Sequence, residues 1–187
     1  PRPNCCSPDV CDEDFLLVDA TPQLNFLTEL YHATDGGKWH NNSGWLKGEP
    51  CRPSSIFYDV CNNFWYGVEC KCAQYYPFSE VYTVTKISLT ANNLVGEIPS
   101  SIGNLVEILE LYLDGNELSG TIPKEISGLT ALTRVSLGDN MLTGKLLYPN
   151  LPSLTMVNVS NNMLGGSVPD TVCTLQERDL RHNMYVS

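Results

Sequence analysis

Val84-Thr-Lys-Ile-Ser-Leu-Thr-Ala-Asn-Asn-Leu-Val-Gly-Glu-Ile-Pro99 decides the fold, because the chain goes on to repeat it. A second copy runs over residues 108–123, a third over 132–144 and a fourth over 154–169. The marker asparagines Asn92, Asn116 and Asn140 are 24 residues apart, and Asn162 follows after 22. Consecutive copies at a period in the twenties predict a solenoid of stacked units, none of which can bury its apolar side alone.

Apolar and polar residues alternate at the start of each copy. In the second copy Leu111 and Leu113 alternate with Glu110, Tyr112 and Asp114. A period of two is typical of a strand, and it sends the leucines to one face and the polar residues to the other. The sequence therefore predicts a parallel sheet with a leucine core on one side and an exposed polar face on the other.

The repeated asparagines have a structural interpretation that we favour over a catalytic one. An amide both donates and accepts hydrogen bonds, so a stacked column of amides can satisfy the buried backbone groups of the turns. We predict such a ladder from the five marker positions, which are Asn92, Asn116, Asn140, Asn162 and Asn183.

The copies share the pattern L-x-x-L-x-L-x-x-N-x-L, which is the signature of a leucine-rich repeat solenoid. Their extension L-x-G-x-I-P resembles the plant-type subclass of extracellular leucine-rich repeats over residues 84–169. The third copy departs from this form, since Gly144 is followed by Lys145 and no Ile-Pro pair. The fold class we predict is an α/β repeat, a short leucine-rich repeat solenoid with its parallel sheet on the concave face and a disulfide-stapled N-terminal cap.

The residues before the repeats resemble the amino-terminal cap of secreted leucine-rich repeat proteins. Thr21-Pro22 predicts a helix start. The motif of the cap is completed by Trp39, Trp45 and Trp65-Tyr-Gly-Val68. Such caps are familiar from algae, other protists and bacteria, with a related form in land plants. We therefore expect an acidic, Cys- and Pro-rich tail over residues 1–20, a cap over 21–83, and four repeats plus a partial terminal repeat over 84–187.

Eight cysteines in a chain of 187 residues favour an oxidising compartment. A zinc site is disfavoured, because the close cysteine pairs lack paired C-x-x-C spacing and a nearby histidine. The resemblance implies that Cys61 pairs with Cys70 around the Trp-x-Gly-Val strand, which leaves Cys51 to pair with Cys72. The remaining prediction joins Cys173 to a cysteine of the tail, and the candidates are Cys5, Cys6 and Cys11.

Composition disfavours several classes of function. The net charge of −10 would be repelled by phosphate backbones and anionic lipid, so we expect neither nucleic acid binding nor binding to a membrane surface. No apolar run approaches membrane-spanning length, so we expect no direct membrane insertion. The histidines at 32, 40 and 182 are isolated from one another in sequence and from any recognised catalytic motif. We therefore predict a protein that is not an enzyme and that uses no cofactor and no metal.

The exposed face of the predicted sheet is the first candidate for binding a partner, since repeat proteins use such extended surfaces. Tyr112 is its best anchor, and the alternative is that Lys86, Glu110 and Arg134 form only a charge ladder between strands. The candidate residues are Lys86, Ser88, Thr90, Glu110, Tyr112, Asp114, Arg134, Ser136, Met156 and Asn158.

Aromatic residues in two cap loops form the second candidate, either as an exposed binding patch or as packing over the core of the cap. These residues are Phe57, Tyr58, Tyr75, Tyr76 and Phe78. Two sequons, at Asn41 and Asn158, are compatible with glycosylation. A glycan on Asn158 would block part of the concave face.

We predict a protein-binding or scaffold module, secreted or in an organelle lumen such as that of the thylakoid. Because the solenoid is short, we expect an accessory subunit that docks on a larger assembly. One alternative is an inhibitor of a secreted hydrolase, by analogy with plant polygalacturonase-inhibiting proteins, which carry about ten repeats. The other alternative is a protein that binds polysaccharide or ice. Binding to polysaccharide calls for several exposed aromatic residues, and binding to ice calls for a regular array of threonines.

Overall fold

The computed structural model of the chain describes residues 21–53, 61–75, 79–146 and 151–185. The predicted acidic tail lies outside these residues. The predicted boundaries at residues 20 and 83 remain predictions.

The cap begins with one amphipathic helix, α1 (Thr21–Ala33). Phe26, Leu27 and Leu30 recur at helical spacing and are completely buried, so this face of the helix covers the end of the repeat core. The helix ends where Asp35 takes a left-handed conformation with φ of 55°, and a short 3₁₀ helix (Gly36–Lys38) follows.

Three tryptophans build the rest of the cap's core. Ring centroids of Trp39 and Trp45 are 4.8 Å apart, and those of Trp45 and Trp65 are 5.0 Å apart. The indole Nε1 of Trp45 donates to the Tyr66 carbonyl at 2.9 Å, which ties the two halves of the cap together. Each of the three rings is at most 5% exposed. The aromatic cluster therefore continues the hydrophobic core of the repeats into the cap.

The main sheet has six strands among the described residues, which are β3 (Val68–Tyr75), β4 (Ser79–Ser88), β6 (Glu110–Tyr112), β8 (Arg134–Ser136), β10 (Met156–Asn158) and β12 (Glu177–Asp179). Across the sheet they lie in the order β12-β10-β8-β6-β4-β3. The strands β4, β6, β8, β10 and β12 are parallel, whereas β3 pairs antiparallel with β4. The cap thus adds a strand to the sheet of the repeats, which makes cap and solenoid one continuous surface.

Inward-facing residues of this sheet stack in register across the repeats. Ile87 lies beside Leu111, Leu111 beside Val135, and Val135 beside Val157, and none of the four is exposed to solvent. This arrangement confirms the predicted fold class, in which the leucine positions form the core and the intervening positions form the concave face.

A second, side set of strands follows the marker asparagines. These strands are β5 (Val95–Glu97), β7 (Glu117–Ser119), β9 (Thr143–Lys145), β11 (Met163–Gly166) and β13 (Met184–Tyr185). β5 pairs with β7, and β11 pairs with both β9 and β13, all in parallel. A single bridge between Thr121 and Thr143 connects the two groups.

On the convex side, short helices follow the prolines of the Ile-Pro and Val-Pro pairs. They are a 3₁₀ helix at Ser100–Asn104, another at Lys124–Gly128, and α2 (Asp170–Cys173). Each begins directly after a proline, whose fixed φ suits the residue before the first helical turn. Ile102, Ile126 and Val172 point from these helices into the core.

One disulfide differs from the sequence prediction. Cys51 is bonded to Cys70, with their Cα atoms 6.2 Å apart. The predicted pairs Cys61–Cys70 and Cys51–Cys72 are therefore wrong. The reason is a hairpin of β1 (Cys51–Pro53) and β2 (Cys61–Asn63), which sets Cys51 opposite Asn63. The Asn63 Oδ1 lies within reach of both the Cys51 Sγ and the Cys70 N–H, so this hairpin brings Cys51 to β3.

Candidate functional site

The concave face places its candidate residues in columns that cross the strands. Lys86, Glu110, Arg134 and Met156 are partners in register, and Glu177 of β12 extends their column. The second column consists of Ser88, Tyr112, Ser136 and Asn158, and Asp179 extends it. Sequence reasoning missed Glu177 and Asp179, because the terminal repeat is shorter than the others and its strand residues do not align by the usual period.

Lys86 is held between carboxylates on both of its neighbouring strands. Its Nζ lies 2.9 Å from Glu69 on β3 and 3.8 Å from Glu110 on β6. The hydrogen bond with Glu69 raises the pKa of Lys86, so the ammonium stays charged. The same Nζ lies 6.0 Å from the ring centroid of Tyr112. At this end of the face the charged side chains pair with one another, as a charge ladder between strands would. Sequence reasoning missed Glu69, because this residue belongs to the cap.

Arg134 differs from Lys86, because its guanidinium forms no ion pair with any of the described carboxylates. It is exposed at the centre of the sheet, and Tyr112 lies on the adjacent strand two pairs further along, opposite Ser136. Beside them Ser136, Gly138 and Ser160 are buried, and the Asn158 amide covers Gly138. The centre of the concave face therefore offers an aromatic ring and a cation that forms no ion pair with a described carboxylate.

The last strand of the sheet, β12, carries a second ion pair. Arg181 binds Asp179 through two hydrogen bonds, Nε to Oδ1 at 2.9 Å and Nη2 to Oδ2 at 2.6 Å. These bonds lower the pKa of Asp179 from 3.8 to about 2. Thr90 similarly donates to Asp114, at 3.3 Å. The polar groups at the rim are thus largely engaged with one another, in contrast to Arg134.

Asn158 is engaged on the concave face through both atoms of its amide. Its Nδ2 donates to the Ser136 Oγ at 3.2 Å, and its Oδ1 accepts from the Ser160 hydroxyl at 2.8 Å. The amide lies directly over Gly138, where an added Cβ would come within 2.7 Å of the Asn158 Nδ2. This side chain is therefore part of the floor of the face.

The asparagine ladder holds neighbouring repeats together and so fixes the spacing of the strands that form the concave face. The Asn116 Nδ2 donates to the carbonyls of Leu89 and Leu113 at 2.9 and 2.8 Å, while its Oδ1 accepts from the Asn92 and Leu94 amides at 3.0 Å each. Asn140, Asn162 and Asn183 repeat this arrangement in the following turns. Each amide joins its own repeat to a neighbour, so the ladder sets the spacing of the strands.

The ladder also reaches into the cap, which sequence reasoning missed. The Asn41 N–H donates to the Asn92 Oδ1 at 2.7 Å, and the Asn92 Nδ2 donates to the Asn41 carbonyl at 3.0 Å. No spacing in the sequence signals this contact, because Asn41 belongs to a loop that carries no repeat pattern.

The second candidate site consists of the aromatic residues in the two cap loops, and almost all of it lies outside the described residues. Phe57, Tyr58, Tyr76 and Phe78 lie outside the described residues, and only the backbone of Tyr75 is described. Two other aromatic residues of the cap, Phe64 and Tyr66, are exposed by 51% and 43%. They flank the buried Trp65, and sequence reasoning missed them because it treated this segment as the motif of the cap.

A groove of about 1030 Å³ lies between the cap helix and the side of the first repeats. Its floor includes Ile98 and Ile122, and Glu97, Lys124 and Lys145 line it as well. His32 also lines it, but no neighbouring nucleophile or metal ligand set accompanies the imidazole among the described residues. The groove offers a mixed surface of apolar and charged groups rather than a catalytic constellation.

Within the described residues, no helix is both long and apolar enough to span a membrane. The same residues hold no group of three His, Cys, Asp or Glu side chains that could bind a metal ion.

The repeats resemble a known protein family. A model of the leucine-rich repeat family matches residues 83–105, 107–129 and 153–175. A search of the curated proteins finds no match to the chain.

Solved structures of plant proteins resemble the chain. A chain of the BIR3–SERK2 complex from Arabidopsis thaliana is 25% identical with a TM-score of 0.60, and the match covers 90% of this chain and 84% of that one. The plant peptide hormone receptor RGFR1, solved in complex with RGF2, is 36% identical with a TM-score of 0.50 over 53% of this chain. This chain spans only 17% of the length of that receptor. A plant ice-binding protein is 21% identical with a TM-score of 0.63, over 88% of this chain and 49% of its own, and shows the shared fold alone.

The fold is thus a leucine-rich repeat solenoid, and its repeats and structural neighbours support the plant type. Domains of this kind are typically non-catalytic, and the resemblance supports a protein-interaction module.

Proposed function

We propose that this chain is a non-catalytic module that binds a protein partner through the centre of its concave face. The supporting observation is the contrast between Arg134, which has no ion-pair partner among the described residues, and Lys86, which has two. Arg and Tyr are the residues that most often dominate binding energy at protein interfaces, and Tyr112 lies beside Arg134.

The proposed setting is an oxidising compartment, either outside the cell or in an organelle lumen. The disulfide between Cys51 and Cys70 supports it, because such bonds persist where thiols are not kept reduced. The small concave area favours an accessory subunit of a larger assembly. Recovery of a stable lone monomer from the native source would contradict that part of the proposal.

The test is a capture experiment on native source material with mild crosslinking, read by mass spectrometry. We expect one dominant protein, with crosslinks from Lys86 and its surroundings. Arg134→Glu and Tyr112→Ala should each lower its capture about tenfold or more, as hot-spot substitutions do. Lys124→Glu is the matched control, because Lys124 lies on the convex side and should leave capture unchanged. Equal capture by all three variants would refute the concave face as the interface, and recovery of the free chain alone would favour a polysaccharide or ice surface as the ligand.

A further inference from the structure

The two sequons of the chain lie in different environments. At the first, the Asn41 Oδ1 accepts from the Ser43 N–H at 3.0 Å, while the Asn41 Nδ2 makes no hydrogen bond to a described residue. Ser43 is exposed. At the second, the Asn158 Nδ2 is bonded to Ser136, and Ser160 is buried with its hydroxyl bonded to Asn158. The amide nitrogen that accepts a glycan is therefore available at Asn41 and engaged at Asn158.

An exposed aromatic pair, Phe64 and Tyr66, lies beside the first sequon. The Tyr66 N–H donates to the Ser43 carbonyl at 2.9 Å. Gly44 is pressed so closely against Phe64 that an added Cβ would lie 1.8 Å from the Phe64 carbonyl oxygen. The aromatic pair, Ser43 and Asn63 line one depression of about 310 Å³. Sequon and aromatic pair therefore form one local surface.

The chemistry of that depression suits a sugar. Saccharide rings have apolar C–H faces, which pack on aromatic rings, and hydroxyl groups, which need donors and acceptors at the edges. Phe64 and Tyr66 supply rings, while the Asn63 amide and the Ser43 hydroxyl supply polar groups. Asn41 precedes Ser43 by two residues, a separation of at most roughly 7 Å along the chain. The first rings of a glycan on Asn41 can therefore reach the aromatic pair.

We propose that Asn41 carries an N-linked glycan whose first sugar rings pack on Phe64 and Tyr66, and that Asn158 remains unmodified in the folded protein. This inference relies on the extracellular or luminal setting proposed above, and it is independent of the concave interface. The donor is an oligosaccharide linked to a lipid through pyrophosphate. The Asn41 Nδ2 bonds to the anomeric carbon of the sugar and releases one proton to the solvent, while the bond from that carbon to the pyrophosphate oxygen breaks and the lipid pyrophosphate leaves with the bonding electrons.

The same transfer at Asn158 opposes folding. One Nδ2 hydrogen of Asn158 is committed to the Ser136 Oγ, so a glycan would have to replace the other hydrogen and fit against a floor where Gly138 already lies in contact with the amide. Because the oligosaccharide is added before the chain has folded, molecules modified at Asn158 must bear this cost when they fold. We therefore expect them to be absent from the secreted, folded fraction.

The first measurement is site occupancy. The full chain, produced in a eukaryotic secretory host, is digested, and its glycopeptides are assigned by mass spectrometry. We expect a glycan on Asn41, with Asn158 unmodified in the folded fraction. A folded protein that carries its glycan on Asn158, or none on Asn41, would overturn the proposal.

The second measurement tests the contact with the aromatic pair. Ser43→Ala removes the sequon without removing a side-chain hydrogen bond, because the described contacts of Ser43 use only its backbone. The glycosylated protein should unfold about 2–4 °C above this variant. The difference should vanish when Phe64→Ser and Tyr66→Ser are introduced together, and it should persist in the control Val106→Ser, which alters an exposed apolar residue elsewhere.

If the glycan raises the unfolding temperature equally with and without the aromatic pair, the glycan extends into solvent, which contradicts the proposal. If the double variant is not secreted, the wild type still decides the question. Nuclear Overhauser contacts between an isotope-labelled glycan and the ring protons of Tyr66 are expected. Their absence would overturn the packing.

Discussion

At the scale of single residues, the marker asparagines show how one side chain can hold two repeats together. Asn116 is 8% exposed, and its amide bonds the backbone of its own repeat and of the preceding one. A hydrophobic side chain at this position would leave buried carbonyls and N–H groups without partners. The asparagine column therefore stabilises the stack by satisfying backbone groups that the leucine core cannot satisfy.

We expect Asn116→Ala to lower the free energy of unfolding by about 2–4 kcal/mol, since several buried backbone groups lose their partner at once. Urea unfolding monitored by circular dichroism measures the change. Asn104→Ala is the control, because Asn104 is exposed and donates one long bond, of 3.3 Å, to the Pro22 carbonyl. A similar loss in both variants would show that the ladder contributes nothing special.

Tyr82 makes the cap sensitive to alkaline pH. Burial, followed by the charge of Glu49, raises the pKa of Tyr82 from 10.0 to about 12. In the unfolded chain the phenol ionises near pH 10, whereas in the folded chain it keeps its proton up to about pH 12. The stability that Tyr82 contributes is therefore complete below pH 10 and is lost as the pH rises from 10 to 12.

We expect the free energy of unfolding of the wild type to fall more steeply between pH 9 and pH 11.5 than that of Tyr82→Phe, by on the order of 2 kcal/mol. Urea unfolding at the two pH values gives both slopes, and the other tyrosines cancel in the comparison. Parallel slopes would rule out Tyr82 as the titrating group.

At the scale of elements, the decisive junction is the one between α1 and the first side strand. The Val95 N–H donates to the Thr34 carbonyl at 3.1 Å, just after α1 ends. Gly96 in β5 has φ of 135°, and a Cβ added there would lie 2.0 Å from the Ala33 carbonyl oxygen. Only glycine allows the cap helix to approach the repeat this closely.

Gly96→Ala should therefore lower the free energy of unfolding by at least about 2 kcal/mol, through backbone strain and displacement of α1. Differential scanning calorimetry of the variant measures it. Gly128→Ala provides the comparison, because a Cβ at Gly128 meets no atom within 4 Å, and its effect should stay within about 0.5 kcal/mol. If the two glycines respond alike, the close approach of the helix is not what Gly96 provides.

The elements also show where sequence reasoning succeeds and where it stops. The main strands were predictable, because residues such as Leu111 and Tyr112 alternate with period two and the alternation repeats. The side strands were not, since three-residue segments such as Val95–Glu97 carry no alternation and are defined by backbone hydrogen bonds. The pairing of Cys51 with Cys70 was mispredicted for a similar reason, because it depends on a hairpin between β1 and β2 that no local pattern signals.

At the scale of the whole molecule, the sheet is continuous from the cap to the terminal repeat, and this continuity shapes the candidate site. Lys86 is neutralised partly by Glu69 of the cap, whereas Arg134 lies too far into the repeats to share that carboxylate. Sequence alone places both cations on one face. The added strand β3 brings Glu69 to Lys86, which also contacts Glu110, whereas Arg134 lies in register with Glu110 but forms no ion pair with a described carboxylate.

Cys173 raises the remaining question at this scale. It is exposed at the end of α2 and forms no disulfide with another described cysteine. It occupies the same position after its proline as Gly103 and Ser127 do in the convex helices. The described chain begins near that row, since the Asn104 amide donates to the Pro22 carbonyl. Three repeat steps at the strand spacing amount to ~15 Å, whereas the ten residues from Cys11 to Thr21 can span up to roughly 35 Å.

We therefore predict that Cys173 is joined to Cys5, Cys6 or Cys11. Unreduced protein, alkylated and cleaved before its aspartates, should yield a fragment beginning at Asp170 that is linked to a fragment of the tail. Cleavage before Asp9 separates Cys11 from Cys5 and Cys6, so the mass of the linked species tells Cys11 from the other two, and fragmentation between Cys5 and Cys6 distinguishes those. The Cys51–Cys70 bond serves as the internal control, because it should appear in the same digest. An alkylated, unlinked Cys173 in oxidised protein would contradict the prediction, and it would leave an exposed thiol at the convex end of the solenoid for a bond to another chain.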